Sequence, residues 1–211
     1  MKNNLFIIAQ SGWKYILYAF VAFWFFELFD LDFLSLIAFI AIVFFIVVFR
    51  NPERERVVLQ TKGVTTPVDG VVSSIEEIQD SSEYAYRIEI DSSYLNVSVV
   101  RAVMDGNVEE IEEFKGCRLA KHSKLFLALN ENMTIVFKDE DNHRVKVIHR
   151  LKRSFAPLDI DLVLKQKLLQ GARYGVVVNG LTTLYLQKDT VPSVKVGEEL
   201  YASQTLLATF N

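Results

Sequence analysis

Apolar residues along this chain fall into two regimes. From Trp13 to Phe29 and again from Phe33 to Phe49 they run almost unbroken, split only by Asp30-Leu31-Asp32. The second run ends on Phe49-Arg50-Asn51-Pro52-Glu53-Arg54, a basic exit that contains proline. A transmembrane helix needs about 20 mostly apolar residues, with a lower limit near ~17, and each run sits near that limit. Across so short a break, the pattern predicts a helical hairpin with helices over about 13–29 and 33–49. Its tip is acidic and both feet stand on the same side, with Trp13, Tyr15 and Tyr18 placed as interface anchors. A shallow re-entrant hairpin and a buried soluble hairpin are the alternatives. A cleaved signal peptide fits poorly, because it carries one apolar core of about 7–15 residues and a small-residue cleavage site. Lys2 and Lys14 precede the first run, Arg50, Arg54 and Arg56 follow the second, and Glu27, Asp30 and Asp32 mark the far side. The excess of Lys and Arg at the feet predicts a body on the cytoplasmic side of a membrane.

After a short juxtamembrane linker over 51–62, the hydrophobic period changes to two. Tyr84–Ile90 alternates apolar and polar, as a half-buried strand does. Similar runs occur at Val71–Ile75, Asn96–Val100, Met133–Phe137, Val145–His149, Val176–Val178 and Leu184–Leu186. Turn signals separate several of them, notably Pro67-Val68-Asp69-Gly70, Asp105-Gly106 and Asp139-Glu140-Asp141-Asn142. The fold class expected is therefore mainly β, a sandwich or barrel-like body over 63–211 behind a transmembrane hairpin over 1–50. One stretch, Asp159–Gln170, reads as a helix, with Asp159 to cap it and Gly171 to stop it.

Composition narrows the chemistry. A net charge of −3 over 211 residues offers no large basic face, so nucleic acid is not an expected partner. The single cysteine, Cys117, excludes an internal disulfide and a cysteine metal cluster, and reads as a small buried or half-buried thiol. His122, His143 and His149 lack metal-ligand spacing, so no metal site is expected.

Four segments, in order, resemble the short bacterial form of phosphatidylserine decarboxylase. They are the hairpin with its F-R-N-P-E-R exit, and Thr66-Pro67-Val68-Asp69-Gly70-Val71-Val72, similar to the family's S-P-A-D-G-x-V. Next comes Arg101-Ala102-Val103-Met104-Asp105-Gly106, similar to R-A-P-x-x-G, with Asn130-Glu131-Asn132 resembling N-E-R. Last is Gly171-Ala172-Arg173-Tyr174-Gly175 through Asn179-Gly180, followed by Leu184-Tyr185-Leu186 and Val194-Lys195-Val196-Gly197. The resemblance implies a bacterial inner-membrane protein of phosphatidylethanolamine metabolism, with membrane phospholipid and other phospholipid-synthesis enzymes as partners. It also implies self-cleavage at a Gly-Ser bond, whose serine becomes a pyruvoyl group that acts as the electron sink for decarboxylation.

The sequence departs from the family at those reactive places. The expected cleavage pair falls on Gly180-Leu181, and leucine has no hydroxyl with which to attack the preceding carbonyl. No cofactor is therefore expected. Ser98 replaces a histidine of the family's H-V-N-R-A-P run, so Ser98, Arg101 and Asn130 are the substrate-side candidates. Asp69 is the retained family acid, either a proton handler or a carboxylate that caps its own turn. Arg101 either meets a lipid phosphate or pairs with a surface acid. The main expectation is a family member unable to cleave itself. The alternatives are an active enzyme that matures at a non-standard residue such as Thr182 or Thr183, and a non-catalytic membrane-anchored β adaptor.

Overall fold

The computed structural model describes residues 7–54, 63–79 and 83–210. Of the linker expected over 51–62, residues 55–62 lie outside them, as does Lys2. The chain divides into two compact units, Lys2–Pro52 and Glu53–Asn211.

The first unit is a hairpin of α1 (Trp13–Leu28) and α2 (Asp32–Val48). No glycine or proline interrupts either helix. Asp30 ends the first by taking a left-handed conformation (φ 54°), which aspartate tolerates better than most residues. The Tyr15 ring packs on Phe45 and Phe49 while Phe23 meets Phe39, so the helices run antiparallel. Gly12 lies so close that a Cβ there would stand 2.5 Å from Phe49 Cβ. The helices hold 16 and 17 residues. At 1.5 Å per residue each spans about 25 Å, short of a hydrocarbon core of about 30 Å. No helix among the described residues is long and apolar enough to cross a membrane. Two full spans are thus not supported, because both helices stop at Leu28 and Val48 where the chain turns out of helical geometry.

The second unit is mainly β. Its elements are β1 (Gly63–Thr65), β2 (Gly70–Glu77), β3 (Tyr84–Asp91), β4 (Val99–Arg101), β5 (Gly106–Phe114), α3 (Phe126–Leu129), β6 (Asn132–Lys138) and β7 (Arg144–Leu151). They continue as β8 (Asp159–Ile160), β9 (Lys167–Leu168), β10 (Arg173–Val176), β11 (Gly180–Gln187), β12 (Thr190–Pro192), β13 (Glu199–Leu200) and β14 (Leu206–Phe210). An eight-stranded antiparallel sheet runs β13-β2-β3-β11-β7-β6-β5-β9, beside three-stranded sheets β1-β14-β12 and β4-β10-β8. One core joins all three, drawing on Val64 and Leu207 from the second sheet, Val100 and Tyr174 from the third, and Ile88, Ile135, Val147 and Leu184 from the first. In β7 the alternation is complete: Val145, Val147, His149 and Leu151 point inward, and Arg144, Lys146, Ile148 and Arg150 are only partly covered.

The helix expected over Asp159–Gln170 does not form. Its backbone groups pair with neighbouring strands instead: Asp161 N–H donates to Tyr174 O, Lys165 N–H to Val108 O, and Val108 N–H to Gln166 O. Lys165 (φ 65°) breaks the local path, so the apolar residues there follow strand spacing. The strand expected from Asn96 begins only at Val99, because the Asn96 side chain accepts from the backbone and hydroxyl of Ser93 and holds a turn.

Candidate functional site

The Pro67–Gly70 turn delivers Asp69 to the start of β2, and Gly70 follows because nothing larger fits. A Cβ there would lie 2.6 Å from Asp91 O on the adjoining β3. Asp69 is buried, and both its carboxylate oxygens are engaged. Arg54 grips it bidentately, Nη2 donating to Oδ2 at 2.6 Å and Nη1 to Oδ1, while Ala202 N–H donates to Oδ1 at 2.8 Å. Arg54 Nη1 also donates to Ala202 O at 3.0 Å. The carboxylate thus caps a distant turn and neutralises a buried guanidinium.

Arg101 ends β4 beside this pair. Its N–H donates to Pro67 O at 2.9 Å and its Nη1 to Gly171 O at 3.2 Å. Burial lowers its pKa to about 10, helped by the charges of Arg173 and Arg54 and opposed by Glu53 and Asp69. It therefore stays charged at neutral pH. Glu53 accepts from Arg173 at 2.7 Å, and that hydrogen bond holds the Glu53 carboxyl below the ordinary range. Among the described residues, Arg54 and Arg173 each meet a carboxylate here, Asp69 and Glu53, and Arg101 lies close enough to feel both acids.

Ser92 ties this cluster to the expected cleavage position. Its hydroxyl donates to Asp69 O at 2.5 Å, and its N–H donates to Gly180 O at 2.9 Å. Gly180 opens β11 with no space for a side chain, since a Cβ would meet Val177 Cγ1 at 2.8 Å. Leu181 is 2% exposed and paired on both flanks, with Asp91 of β3 and Arg150 of β7. None of the nine glycines in the chain is followed by serine. The residues present therefore do not fit formation of a pyruvoyl group by the Gly-Ser route.

The other sequence candidates separate. Ser98 is buried three positions before Arg101, and its carbonyl accepts from Val177 N–H at 2.8 Å. Asn130 is fully buried as a structural clamp, its Oδ1 accepting from Leu119 N–H and its Nδ2 donating to Leu119 O and Leu151 O. Cys117, expected to be at least half-buried, is exposed because it stands at the base of a surface loop.

Three groupings escaped the sequence reading. Beside Leu181, Thr182 Oγ1 lies 2.9 Å from His149 Nδ1, and His149 Nε2 lies 2.6 Å from Tyr174 Oη. Burial drives the His149 pKa down to about 3 and pushes the Tyr174 phenol up, so both are neutral. The inward parity of His149 in β7 is the signal that could have found it. Asp91 receives Lys121 at 2.9 Å and also Lys152; burial alone would raise its carboxyl, but these hydrogen bonds prevail and lower it. Asp139, Asp141 and His143 bring ligand atoms within 4.8 Å of one another. The Asp139 carboxylate is already engaged there by the Asp141 and His143 N–H groups and the His143 ring.

Comparison with known proteins bears on the family. The phosphatidylserine decarboxylase family model matches residues 42–208. The chain is 28% identical over 205 residues to the phosphatidylserine decarboxylase proenzyme of Burkholderia mallei (strain SAVP1), covering 96% of this chain and 94% of that one. The same identity and coverage hold for the proenzyme of Burkholderia pseudomallei (strain 1106a). For that of Burkholderia lata the identity is 26%, over 96% of this chain and 95% of that one. With the motifs in order and the match running across the β body, this chain belongs to the phosphatidylserine decarboxylase family.

Proposed function

We propose that this protein is a family member of phospholipid metabolism that stays a single uncleaved chain. It works on the cytoplasmic face of a bacterial inner membrane and holds phospholipid head groups without decarboxylating them, beside other enzymes of phospholipid synthesis. Leu181 carries the reading, since a buried alkyl group stands where self-cleavage needs a hydroxyl. Membrane placement draws support from the hairpin, where Tyr18, Leu28 and Phe33 are 69%, 79% and 74% exposed. An apolar surface of that kind marks a membrane or protein contact. The gathering of the Arg54, Arg101 and Arg173 guanidiniums supports a phosphate-bearing ligand. Intact mass is the test: a single 24.2 kDa chain with no adduct after hydroxylamine treatment is expected. Two fragments parted near Gly180 would overturn it.

One observation favours a second reading, an active decarboxylase that matures at Thr182. The hydroxyl of Thr182 lies on the His149 ring, a nucleophile beside a base. Attack on the Leu181 carbonyl would exchange the amide for an ester, and elimination would release the Leu181 carboxylate. Hydrolysis of the resulting imine by water with loss of ammonia would leave a 2-oxobutanoyl group, trappable by borohydride with an amine. CO2 release from phosphatidylserine together with such an adduct would establish this reading and displace the first.

A further inference from the structure

The loop between β5 and β6 has a construction that the site above does not use. It closes on itself at its base: Cys117 N–H donates to Leu129 O at 2.7 Å and Glu131 N–H to Cys117 O at 2.8 Å. The Asn130 amide spans it from inside through Leu119, and Glu131 takes Arg118 Nε at 2.8 Å. Phe126 tucks inward, 3% exposed, with the Arg150 guanidinium 5.9 Å from its ring centroid. Its neighbours point the other way, with Leu125, Leu127 and Leu129 at 53%, 62% and 41% exposure. A held loop that presents three leucines to the outside is a built surface.

Charge selects what that surface fits. Residues 115–129 contain Lys115, Arg118, Lys121 and Lys124 and no Asp or Glu. Arg118 and Lys121 lean on Glu131 and Asp91, but Asp91 is shared with Lys152, and Arg153 stands exposed next to it in sequence. An apolar tip in a basic collar matches an anionic bilayer surface, where leucines enter the acyl boundary and cations meet lipid phosphates. A protein partner would need an apolar socket ringed by acids, and nothing here favours one. The geometry points to the loop over 115–129 as a docking surface for anionic phospholipid. This rests on the membrane placement proposed above and gives the β body a contact of its own with the lipid.

The lone cysteine provides the test, because it is exposed at the base of the loop. The full chain is labelled on Cys117 with nitrobenzoxadiazole and reconstituted into vesicles of phosphatidylglycerol and phosphatidylcholine in equal parts, and into phosphatidylcholine alone. A blue-shifted emission and a several-fold loss of iodide quenching are expected in the anionic vesicles only. Changing Leu125, Leu127 and Leu129 to Ser should return the probe to water, and Lys115→Glu with Lys124→Glu should do so without touching the apolar tip. A chain that floats with the vesicles while its probe stays open to iodide in both lipids overturns the docking surface alone. A chain that does not float at all overturns the docking surface and the membrane placement together. A protected probe in both lipids, unchanged by either set of substitutions, also refutes the anionic-lipid assignment.

Discussion

Replacing Arg54 by Met removes one half of an ion pair whose side chains are 8% and 6% exposed. Asp69 would keep the Ala202 N–H and lose both guanidinium contacts, and Ala202 O would lose Arg54 Nη1. Breaking a buried pair from one side costs about 3–5 kcal/mol, because an uncompensated charge stays behind. Against a domain stability of roughly 5–15 kcal/mol that is a large share. Urea titration of the detergent-solubilised full chain, read by pulse proteolysis of the β body, measures it. With a slope of about 2 kcal/mol/M, the midpoint should fall by about 2 M. Arg54→Lys should recover only part of this, since an ammonium cannot satisfy both oxygens in the fork geometry. Arg54→Met combined with Asp69→Leu should cost well under the sum of the single changes, because no charge is left stranded. If Asp69 were a proton handler held under strain, Asp69→Ala would be neutral or stabilising. That result, or single costs below about 1 kcal/mol, would refute the clamp.

Three further changes follow from the same geometry. Leu181→Ser should cost about 2–5 kcal/mol in urea unfolding, because a buried branched side chain is lost from a sheet paired on both sides. It should still run as one chain by mass, because the Asp69 carboxylate is held by Arg54 and Ala202; self-cleavage would contradict this. His149 has a folded pKa of about 3, below its unfolded value, so the unfolded chain takes up the proton first. Its contribution is complete above about pH 6.5 and falls toward lower pH by up to about 1.4 kcal/mol per unit. His149→Gln should flatten the urea midpoint between about pH 7.5 and about pH 5, relative to wild type. Gly70→Ala should lower the midpoint measurably, since the new methyl would press on Asp91 O from 2.6 Å.

How far the sequence carried depended on whether the signal was local. Strands with clean alternation, such as Tyr84–Ile90 and Met133–Phe137, appear close to where their pattern placed them. β5 was not foreseen, because Glu109, Glu110, Glu112 and Glu113 crowd it and a register shift after Val108 breaks its alternation. The segment after Asp159 fitted both periods, and only its long-range partners in β5 and β10 decided the matter. The hairpin was legible as two apolar helices, while spanning was not, because ends set by turning at Phe29 and Phe49 cannot be read from composition. At the site, Asp69 and Arg101 were visible as motif residues. Arg54 and Arg173 stood in other motifs and Ser92 in none, and only folding joins them to that pair. Asn130 shared a motif with substrate-side residues, yet its amide is spent on the loop base.

Losing a nucleophile and filling its space are separate matters, and Leu181 bears on both. A change that only removed a hydroxyl would leave a small side chain and a gap beside β3 and β7. Leucine adds apolar volume instead and buries it, which stabilises the uncut strand by the ordinary packing of a core residue. The bond before it is constrained as well, with Gly180 O held by Ser92 N–H and the two residues in register with Leu151, Arg150 and Asp91. A cut there would free the start of β11, which lies between β3 and β7 in the largest sheet. Around it the polar groups are committed to structure: Asp69 to Arg54 and Ala202, and His149 to Thr182 and Tyr174. On the proposed reading, the geometry of the family's reactive corner supports an intact chain.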